Sequence, residues 1–313
     1  MGGKIVIVGA GAVGGYFGGR LLEAGRDVTF LVRARRAAEL LKHGLVIRSP
    51  LGDFHRPSPP IVSAEDLSGP FDLVLLSCKA FDLEGAMASF GKAVGPKTAI
   101  LPLLNGMRHL DALAGRFGPE PLLGGQCVIS ATLGDGGTII HINDMHALSF
   151  GELDGLRSKR VEAIGSELLG AAGFEARLSD DIRQEMWEKW VFIATAAGMT
   201  CLMRASVGDY VAAGASDLAA ALLEECAKIA AAQGYPPREA SLARARAVLT
   251  AAGSPLKASM LRDIEGGLPV EGDQILGDLL RRAKKPDDRS LLRIAALNVE
   301  AYMAQRGAMA PKR

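Results

Sequence analysis

Near the start of the chain, the run Lys4-Ile5-Val6-Ile7-Val8 leads directly into Gly9-Ala10-Gly11-Ala12-Val13-Gly14. A β-branched run that leads into G-x-G-x-x-G is typical of the first strand, turn and helix of a dinucleotide-binding unit. Gly9 permits a tight turn, Gly11 lets the backbone approach a pyrophosphate, and Gly14 lets the helix pack closely. The helix N-terminus offers N–H groups and a positive dipole end to the phosphates. Residues 9–14 are therefore predicted to bind a dinucleotide, with an ordinary glycine turn as the alternative.

The second predicted strand, residues 27–32, indicates which dinucleotide binds. An NAD site usually ends this strand with a carboxylate that binds the ribose 2′-hydroxyl. Here Arg33 takes that place, and its planar guanidinium matches the oxygens of a 2′-phosphate. The sequence therefore predicts NADPH as the cofactor. Arg35 and Arg36 follow, and solvation of the next helix explains these two equally well.

Composition excludes several classes of protein. The 313 residues have room for two domains, and a net charge of +1 favours neither nucleic acid nor an acidic membrane as a partner. The apolar run over residues 190–203 is too short to span a bilayer. We expect a cytoplasmic protein with reduced thiols, because its cysteines lie far apart without C-x-x-C spacing: Cys78, Cys127, Cys201 and Cys226.

The texture of the chain changes near residue 178. Before it, strand and helix patterns alternate, and the continuous apolar runs at 71–77 and 97–104 are typical of parallel strands covered on both faces. Further β segments are predicted at 126–132, 137–142 and 174–177. After residue 178, alanine-rich amphipathic helices follow one another. The prediction is an α/β fold, with a Rossmann-type doubly wound sheet over residues 1–178 and an all-α domain over 179–313.

Four segments, in order along the chain, carry a family resemblance. They are the glycine-rich loop of residues 9–14, Asn105-Gly106-Met107, the W-E-K-W segment of residues 187–190, and Ser259 followed by the V-E-x-D-x-I-x-G pattern of residues 270–277. Together they resemble the ketopantoate reductase family. The resemblance covers essentially the whole chain. It implies NADPH-dependent reduction of a 2-oxo acid, as in pantothenate biosynthesis, with a C-terminal domain of the 6-phosphogluconate dehydrogenase C-terminal type.

The resemblance also implies roles for individual residues. Lys189 matches the catalytic lysine, and Asn105 matches the asparagine beside the nicotinamide. Glu271 matches a glutamate that binds substrate and orders the site, and both Asn105 and Glu271 are assigned to the cofactor site as well. Ser259 matches the serine that binds the carboxylate end of the substrate. Lys79 matches a lysine near the cofactor, and Arg33 matches the arginine of the 2′-phosphate.

The implied chemistry is consistent with these side chains. Hydride transfer to a ketone builds negative charge on its oxygen, so the site needs a nearby donor. Lys189 can hydrogen-bond the carbonyl and then deliver its proton as a general acid. Each residue also has a structural alternative. Lys189 could extend from an apolar face to solvent, Glu271 could serve only a helix dipole, and Ser259 could be an ordinary helix residue.

The chain departs from the family pattern at three positions. The family has asparagines at the fourth and eighth positions after the catalytic lysine and at the third position before the serine, where this chain has Ile193, Ala197 and Leu256. Residues four and eight after Lys189 share its helix face, so Ile193 and Ala197 are assigned to the substrate pocket. A more apolar 2-oxo acid or an imine is therefore an alternative substrate, and a non-catalytic NADPH-binding sensor is an alternative function.

Two further expectations concern partners and metals. The apolar helical domain makes a homodimer plausible. One group of potential metal ligands lies at the end of the predicted β segment 137–142 and just after it: His141, Asn143, Asp144 and His146. A β-hairpin with polar outward positions explains them better than a metal site, and we predict no metal.

Overall fold

The structure, a computed structural model, describes residues 3–170, 172–283 and 290–309. The chain divides into two compact units. The first contains Met1–Leu104 and His109–Arg183, and the second contains Asn105–Arg108 and Gln184–Arg313. The boundary predicted after residue 178 stays a prediction.

A five-stranded parallel sheet forms the centre of the first unit, in the order β5-β2-β1-β6-β7. Alternate residues of the central strand enter two different cores. Ile5 and Ile7 belong to one buried cluster, while Val6 and Val8 belong to another that includes Phe90. Both faces of the sheet are thus covered, which explains the continuous apolar runs. The strands are β1 (Lys4–Val8), β2 (Asp27–Leu31), β5 (Ile61–Val62), β6 (Leu73–Leu76) and β7 (Ala99–Pro102). The predicted Rossmann-type α/β class is confirmed.

A second sheet, which the sequence did not reveal as separate, lies beside the first in the same unit. Its order is β10-β9-β3-β4, and β8 pairs with β9 in antiparallel fashion. The sequence predicted parts of β8 and β9 and, over residues 174–177, most of β10, but not the short strands β3 and β4. The strands are β3 (Leu45–Arg48), β4 (Phe54–Arg56), β8 (Leu123–Leu133), β9 (Ile139–Glu152) and β10 (Glu175–Leu178).

Among the residues that the structure describes, five α-helices accompany these sheets. They are α1 (Ala12–Glu23), α2 (Ala34–His43), α3 (Leu83–Phe90), α4 (Arg108–Phe117) and α5 (Lys159–Ala163). Short 3₁₀ helices span Ala80–Asp82, Gly91–Ala93 and Asp135–Gly137, and a π-helical turn spans Ile164–Leu169.

Helix α1 packs against both sheets through glycines. A Cβ on Gly18 would lie 2.5 Å from the ring of Phe30 in β2, and one on Gly19 would lie 2.5 Å from Ile47 in β3. Both distances are too short for real contacts, so the absence of side chains lets the helix approach both sheets. The close packing of α1 thereby fixes where its N-terminus lies.

The second unit is helical. Its helices are α6 (Ile182–Met203, which begins in the first unit), α7 (Val207–Ala212), α8 (Ser216–Ala232), α9 (Glu239–Leu249), α10 (Ser259–Glu265), α11 (Asp278–Arg281) and α12 (Leu291–Met309). A π-helical turn, Asp273–Gly277, precedes α11. Across the described part of the chain, no helix combines the length and apolarity needed to cross a membrane.

Gly18→Ala is expected to lower the free energy of unfolding by about 1–3 kcal/mol, because the new methyl group overpacks the contact with Phe30. Gly91→Ala is the matched control, since its added carbon meets nothing within 4 Å and its φ of −52° suits alanine. Urea unfolding followed by circular dichroism measures both variants. Equal stability of the two would contradict the tight packing of α1.

Candidate active site

The glycine-rich loop sits at the carboxyl end of β1 and is held by a neighbouring strand. Gly9 has a φ of +95°, which glycine adopts readily. The Ser77 hydroxyl, just after β6, donates to the Gly9 carbonyl at 3.0 Å. A Cβ on Gly14 would lie 2.0 Å from Ser77 Oγ and 2.2 Å from the Gly9 oxygen, so only glycine fits there. Sequence reasoning missed Ser77, although parallel neighbours β1 and β6 end at the same sheet edge.

The loop fits a pyrophosphate. A Cβ on Gly11 would meet no atom within 4 Å, so open space lies in front of this backbone. Gly11 is also the N-cap of α1, and no side chain caps the helix there. The first-turn N–H groups and the helix dipole are thus suited to an anionic ligand.

Arg33 lies two residues beyond the last residue of β2, Leu31, near the place that the sequence predicts. Its Nη2 donates to Asp82 Oδ1 at 2.7 Å, while 70% of its side chain stays exposed. A guanidinium has further N–H donors for a phosphate. Lys79 is the N-cap of the Ala80–Asp82 helix and follows strand β6, which pairs with β1.

Arg36 does more than solvate the start of α2, because it contacts the glycine-rich loop. Its Nε donates to the carbonyl of Ala10 at 2.9 Å, and its Nη1 donates to Glu39 at the same distance. Only 12% of the side chain is exposed. Arg36 therefore braces the glycine-rich loop from α2, a contact that the sequence did not distinguish from solvation.

In the second unit, the side chains on either side of Lys189 are buried and bonded. Trp187 stacks on Tyr235 with ring centroids 5.5 Å apart. The Trp190 indole donates to the carbonyl of Ile275 at 2.9 Å. Lys189 itself is only half-buried. The W-E-K-W segment is thus held through the residues that flank the lysine.

Glu188 completes this anchoring through an ion pair. Its carboxylate accepts from Nε and Nη2 of Arg238, each at 2.7 Å, and from the Arg238 main-chain N–H. The Gln184 amide donates to the same carboxylate. Burial by itself raises the pKa of Glu188, but these hydrogen bonds and the Arg238 charge hold the pKa below its ordinary value.

Asn105 and Glu271 both belong to the second unit. The segment Asn105–Arg108 groups with the helices although its chain neighbours lie in the first unit. Glu271 is half-buried and stands two residues before the π-helical turn Asp273–Gly277. A Cβ on the intervening Gly272 would lie 2.4 Å from Val299 of α12, which shows how closely this segment packs.

The residues assigned to substrate binding are spread over two elements. Ser259 is exposed and is the first residue of α10, while Leu256 lies half-buried just before that helix. Ile193 and Ala197 lie on α6, half-buried and buried respectively. The substrate-binding roles of Ser259, Ile193 and Ala197 stay predictions.

His141 and His146 both form hydrogen bonds with other residues of the chain. His141 hydrogen-bonds Ser49 Oγ at 2.9 Å through Nδ1 and the Met145 carbonyl at 2.9 Å through Nε2. His146 Nδ1 hydrogen-bonds Tyr16 at 2.8 Å. In residues 3–170, 172–283 and 290–309, no cluster of three or more His, Cys, Asp or Glu side chains is placed to hold a metal.

Comparison with known proteins decides the family. Sequence profiles described as ketopantoate reductase PanE/ApbA and as the C-terminal part of the same protein match residues 5–155 and 181–287. The chain belongs to the ketopantoate reductase family. The resemblance drawn from the sequence is thereby confirmed.

Individual known proteins match the chain over nearly its full length. An uncharacterized oxidoreductase, YkpB of Bacillus subtilis, is 36% identical over 305 residues, which cover 97% of this chain and 100% of the relative. The crystal structure of 2-dehydropantoate 2-reductase from Geobacter metallireducens is 30% identical, with a TM-score of 0.85, covering 95% of this chain and 99% of that one. A D-mandelate dehydrogenase solved with NADH and anilino(oxo)acetate is 23% identical with a TM-score of 0.86, covering 97% and 99%, and shows the same fold.

Family membership establishes the general chemistry. As a member of this family, the chain is an oxidoreductase that uses a nicotinamide cofactor and acts on a small molecule. The alternative of a non-catalytic sensor is therefore set aside. The glycine-rich loop provides the matching feature in the structure, since its open backbone and uncapped helix suit the pyrophosphate.

Glu188→Gln is expected to lower the free energy of unfolding by about 1–3 kcal/mol at neutral pH, because it removes the charge that Arg238 binds. The folded-state pKa of Glu188 is depressed, so its stabilisation is present above the ordinary carboxyl pKa of 4.5 and is lost as the pH falls through the folded value. The deficit of the variant should therefore shrink in acid.

The control is Glu224→Gln, which removes the charge from an exposed pair with Arg246 at 3.1 Å and should cost below about 1 kcal/mol. Urea unfolding at neutral and acid pH measures both variants. A pH-independent deficit at Glu188 would contradict the assigned role of its charge.

Proposed function

We propose that the protein is an NADPH-dependent reductase of a 2-oxo acid, related to the reduction of ketopantoate to pantoate, with Lys189 as the general acid. The observation that carries the proposal is the anchoring of the W-E-K-W segment. Trp187, Glu188 and Trp190 are buried against Tyr235, Arg238 and Ile275, whereas Lys189 is half-buried. Such anchoring restricts the backbone from which the lysine side chain reaches a substrate.

The first unit supplies the proposed cofactor contacts. The glycine-rich loop would hold the pyrophosphate and Arg33 would bind the 2′-phosphate, with Lys79 beside the cofactor at the end of β6. Asn105 and Glu271, which belong to the second unit, would contribute to the nicotinamide end. When bound, the reduced nicotinamide supplies hydride to the carbonyl carbon of the substrate.

The second unit supplies the proposed acid. Lys189 Nζ donates a hydrogen bond to the carbonyl oxygen and stabilises the negative charge that develops there. It then transfers its proton to that oxygen, which completes the hydroxyl group. Asn105 holds the reacting end, while Ser259 and Glu271 hold the substrate. The Glu271 carboxylate also compensates the charge of the lysine ammonium.

A second candidate is a reductase of a more apolar 2-oxo acid or of an imine. Beyond Lys189, α6 carries two threonines, and both hydroxyls donate within the helix: Thr195 to the Val191 carbonyl at 2.8 Å and Thr200 to the Ala196 carbonyl at 2.7 Å. Ile193 and Ala197 provide no hydrogen-bonding groups. This helix surface therefore favours a substrate side chain without a hydroxyl, because a buried hydroxyl without a partner costs about 1–3 kcal/mol.

Lys189→Ala is expected to lower kcat by about 10²- to 10⁴-fold while NADPH still binds, because only the proton donor is removed. NADPH oxidation is followed by absorbance with ketopantoate and a series of 2-oxo acids with apolar side chains. Lys228→Ala, an exposed lysine on α8, is the control.

The two substrate candidates separate in the same assay. Faster turnover of ketopantoate favours the first, and faster turnover of the apolar acids favours the second. Unchanged kcat in Lys189→Ala would contradict the acid role with either substrate.

Arg33→Ala is expected to weaken NADPH binding by about 10-fold or more and to leave NADH binding unchanged, because only NADPH carries the 2′-phosphate. Fluorescence titration with both cofactors measures the effect. Arg35→Ala is the control, since Arg35 is 89% exposed and forms only a long contact of 3.6 Å with Glu39. Equal losses for NADPH and NADH would overturn the 2′-phosphate assignment.

A further inference from the structure

The π-helical turn Asp273–Gly277 follows Glu271 closely and contacts the segments that carry two other proposed catalytic residues. Three of its consecutive residues make these contacts. Each of them lies within the second unit.

The contact with the Asn105 segment runs through Gln274. Its side-chain Nε2 donates to the main-chain carbonyl of Asn105 at 3.0 Å, and only 7% of Gln274 is exposed. Next to Asn105, Gly106 has a φ of +77°, and a Cβ there would lie 3.1 Å from the Gln274 carbonyl oxygen. The Asn105 segment thus lies directly against both the main chain and the amide of Gln274.

The residues on either side of Gln274 extend this attachment. Asp273 accepts from Arg108, at the far end of the same segment, at 2.6 Å. The Ile275 carbonyl accepts from the Trp190 indole at 2.9 Å, next to Lys189 in sequence. One turn therefore binds the Asn105 carbonyl, accepts from the tryptophan next to Lys189, and follows Glu271 by two residues.

We propose that Gln274 is a positioning residue for the reaction, acting through the main chain of Asn105. The inference rests on the proposed function of Asn105. The buried amide fixes the Asn105 carbonyl, and this orients the Asn105 side chain relative to Lys189 and Glu271. A displacement of about 1 Å at such a residue lowers a rate by about 10²-fold, so loss of this single hydrogen bond should be visible in kcat.

Gln274→Met removes the donor with little change in volume. We expect kcat to fall about 10-fold or more, with a smaller change in the KM of the 2-oxo acid, because the lost bond orients a reacting group. Gln233→Met is the matched control. Gln233 also donates its side-chain amide to a main-chain carbonyl of the second unit, that of Arg282 at 3.0 Å, and its loss should leave kcat unchanged.

Gln274→Glu gives a readout that a merely structural role would not produce. A protonated carboxyl group can donate to the Asn105 carbonyl, whereas an ionised one cannot. The ratio of its kcat to that of the wild type should therefore rise as the pH falls toward the carboxyl pKa. The same ratio for Gln274→Met should stay constant with pH.

Hydrogen–deuterium exchange of the peptide that contains Asn105–Arg108 provides a readout without turnover. Exchange should be faster in Gln274→Met than in Gln233→Met or the wild type. Thermal melting confirms that each variant is folded, and Gln274→Glu measured across pH tests the proposal by itself if Gln274→Met does not fold.

Two outcomes overturn the proposal and differ in what else they affect. If Asn105→Ala lowers kcat but Gln274→Met retains wild-type kcat and exchange, the positioning role is wrong and the proposed function stands. If Asn105→Ala retains full kcat, the proposed role of Asn105 fails, and the role of Gln274 fails with it.

Discussion

The close approach of helix α1 to two sheets is the constraint on which the first unit depends. Gly18 and Gly19 face Phe30 and Ile47 at distances that no side chain could occupy. Phe30 and Ile47 belong to one buried hydrophobic cluster, which includes residues of both sheets. Because the helix cannot shift outward without opening this cluster, its N-terminus stays fixed at the end of β1, where the glycine-rich loop presents its backbone.

The two units contribute to the proposed chemistry by different physical means. In the first unit, main-chain groups provide the proposed phosphate site, since an open glycine backbone and an uncapped helix terminus favour an anion. In the second, side chains hold other side chains in place. The buried carboxylate of Glu188 is stable there because Arg238 supplies both charge and hydrogen bonds.

The parts of this structure that local sequence determines were predictable, and the parts that depend on distant contacts were not. The loop after β1 could be recognised because steric limits on glycines act over a few residues. The second sheet could not, because Ile47 of the short strand β3 pairs with Ile139, far along the chain. The contacts of Arg36 and Ser77 with the glycine-rich loop were not predicted, because their partners are also distant in sequence. Gln274 likewise lies 169 residues from the Asn105 carbonyl that it binds. For Ser259, Ile193, Ala197 and Leu256 the sequence and the structure supply positions, and their roles stay predictions.

The assignment of Asn105–Arg108 to the second unit has a consequence for biosynthesis. These four residues leave the ribosome after all five strands of the central parallel sheet, which pair with one another. Their own partners, Asp273 and Gln274, are translated only after more than half of the chain has followed. The first unit can thus begin to fold cotranslationally, whereas this short segment finds its partners only when the π-helical turn Asp273–Gly277 has been synthesised. A nascent chain arrested before residue 273 would therefore contain the complete glycine-rich loop. Its Asn105–Arg108 segment would still lack the contacts with Asp273 and Gln274.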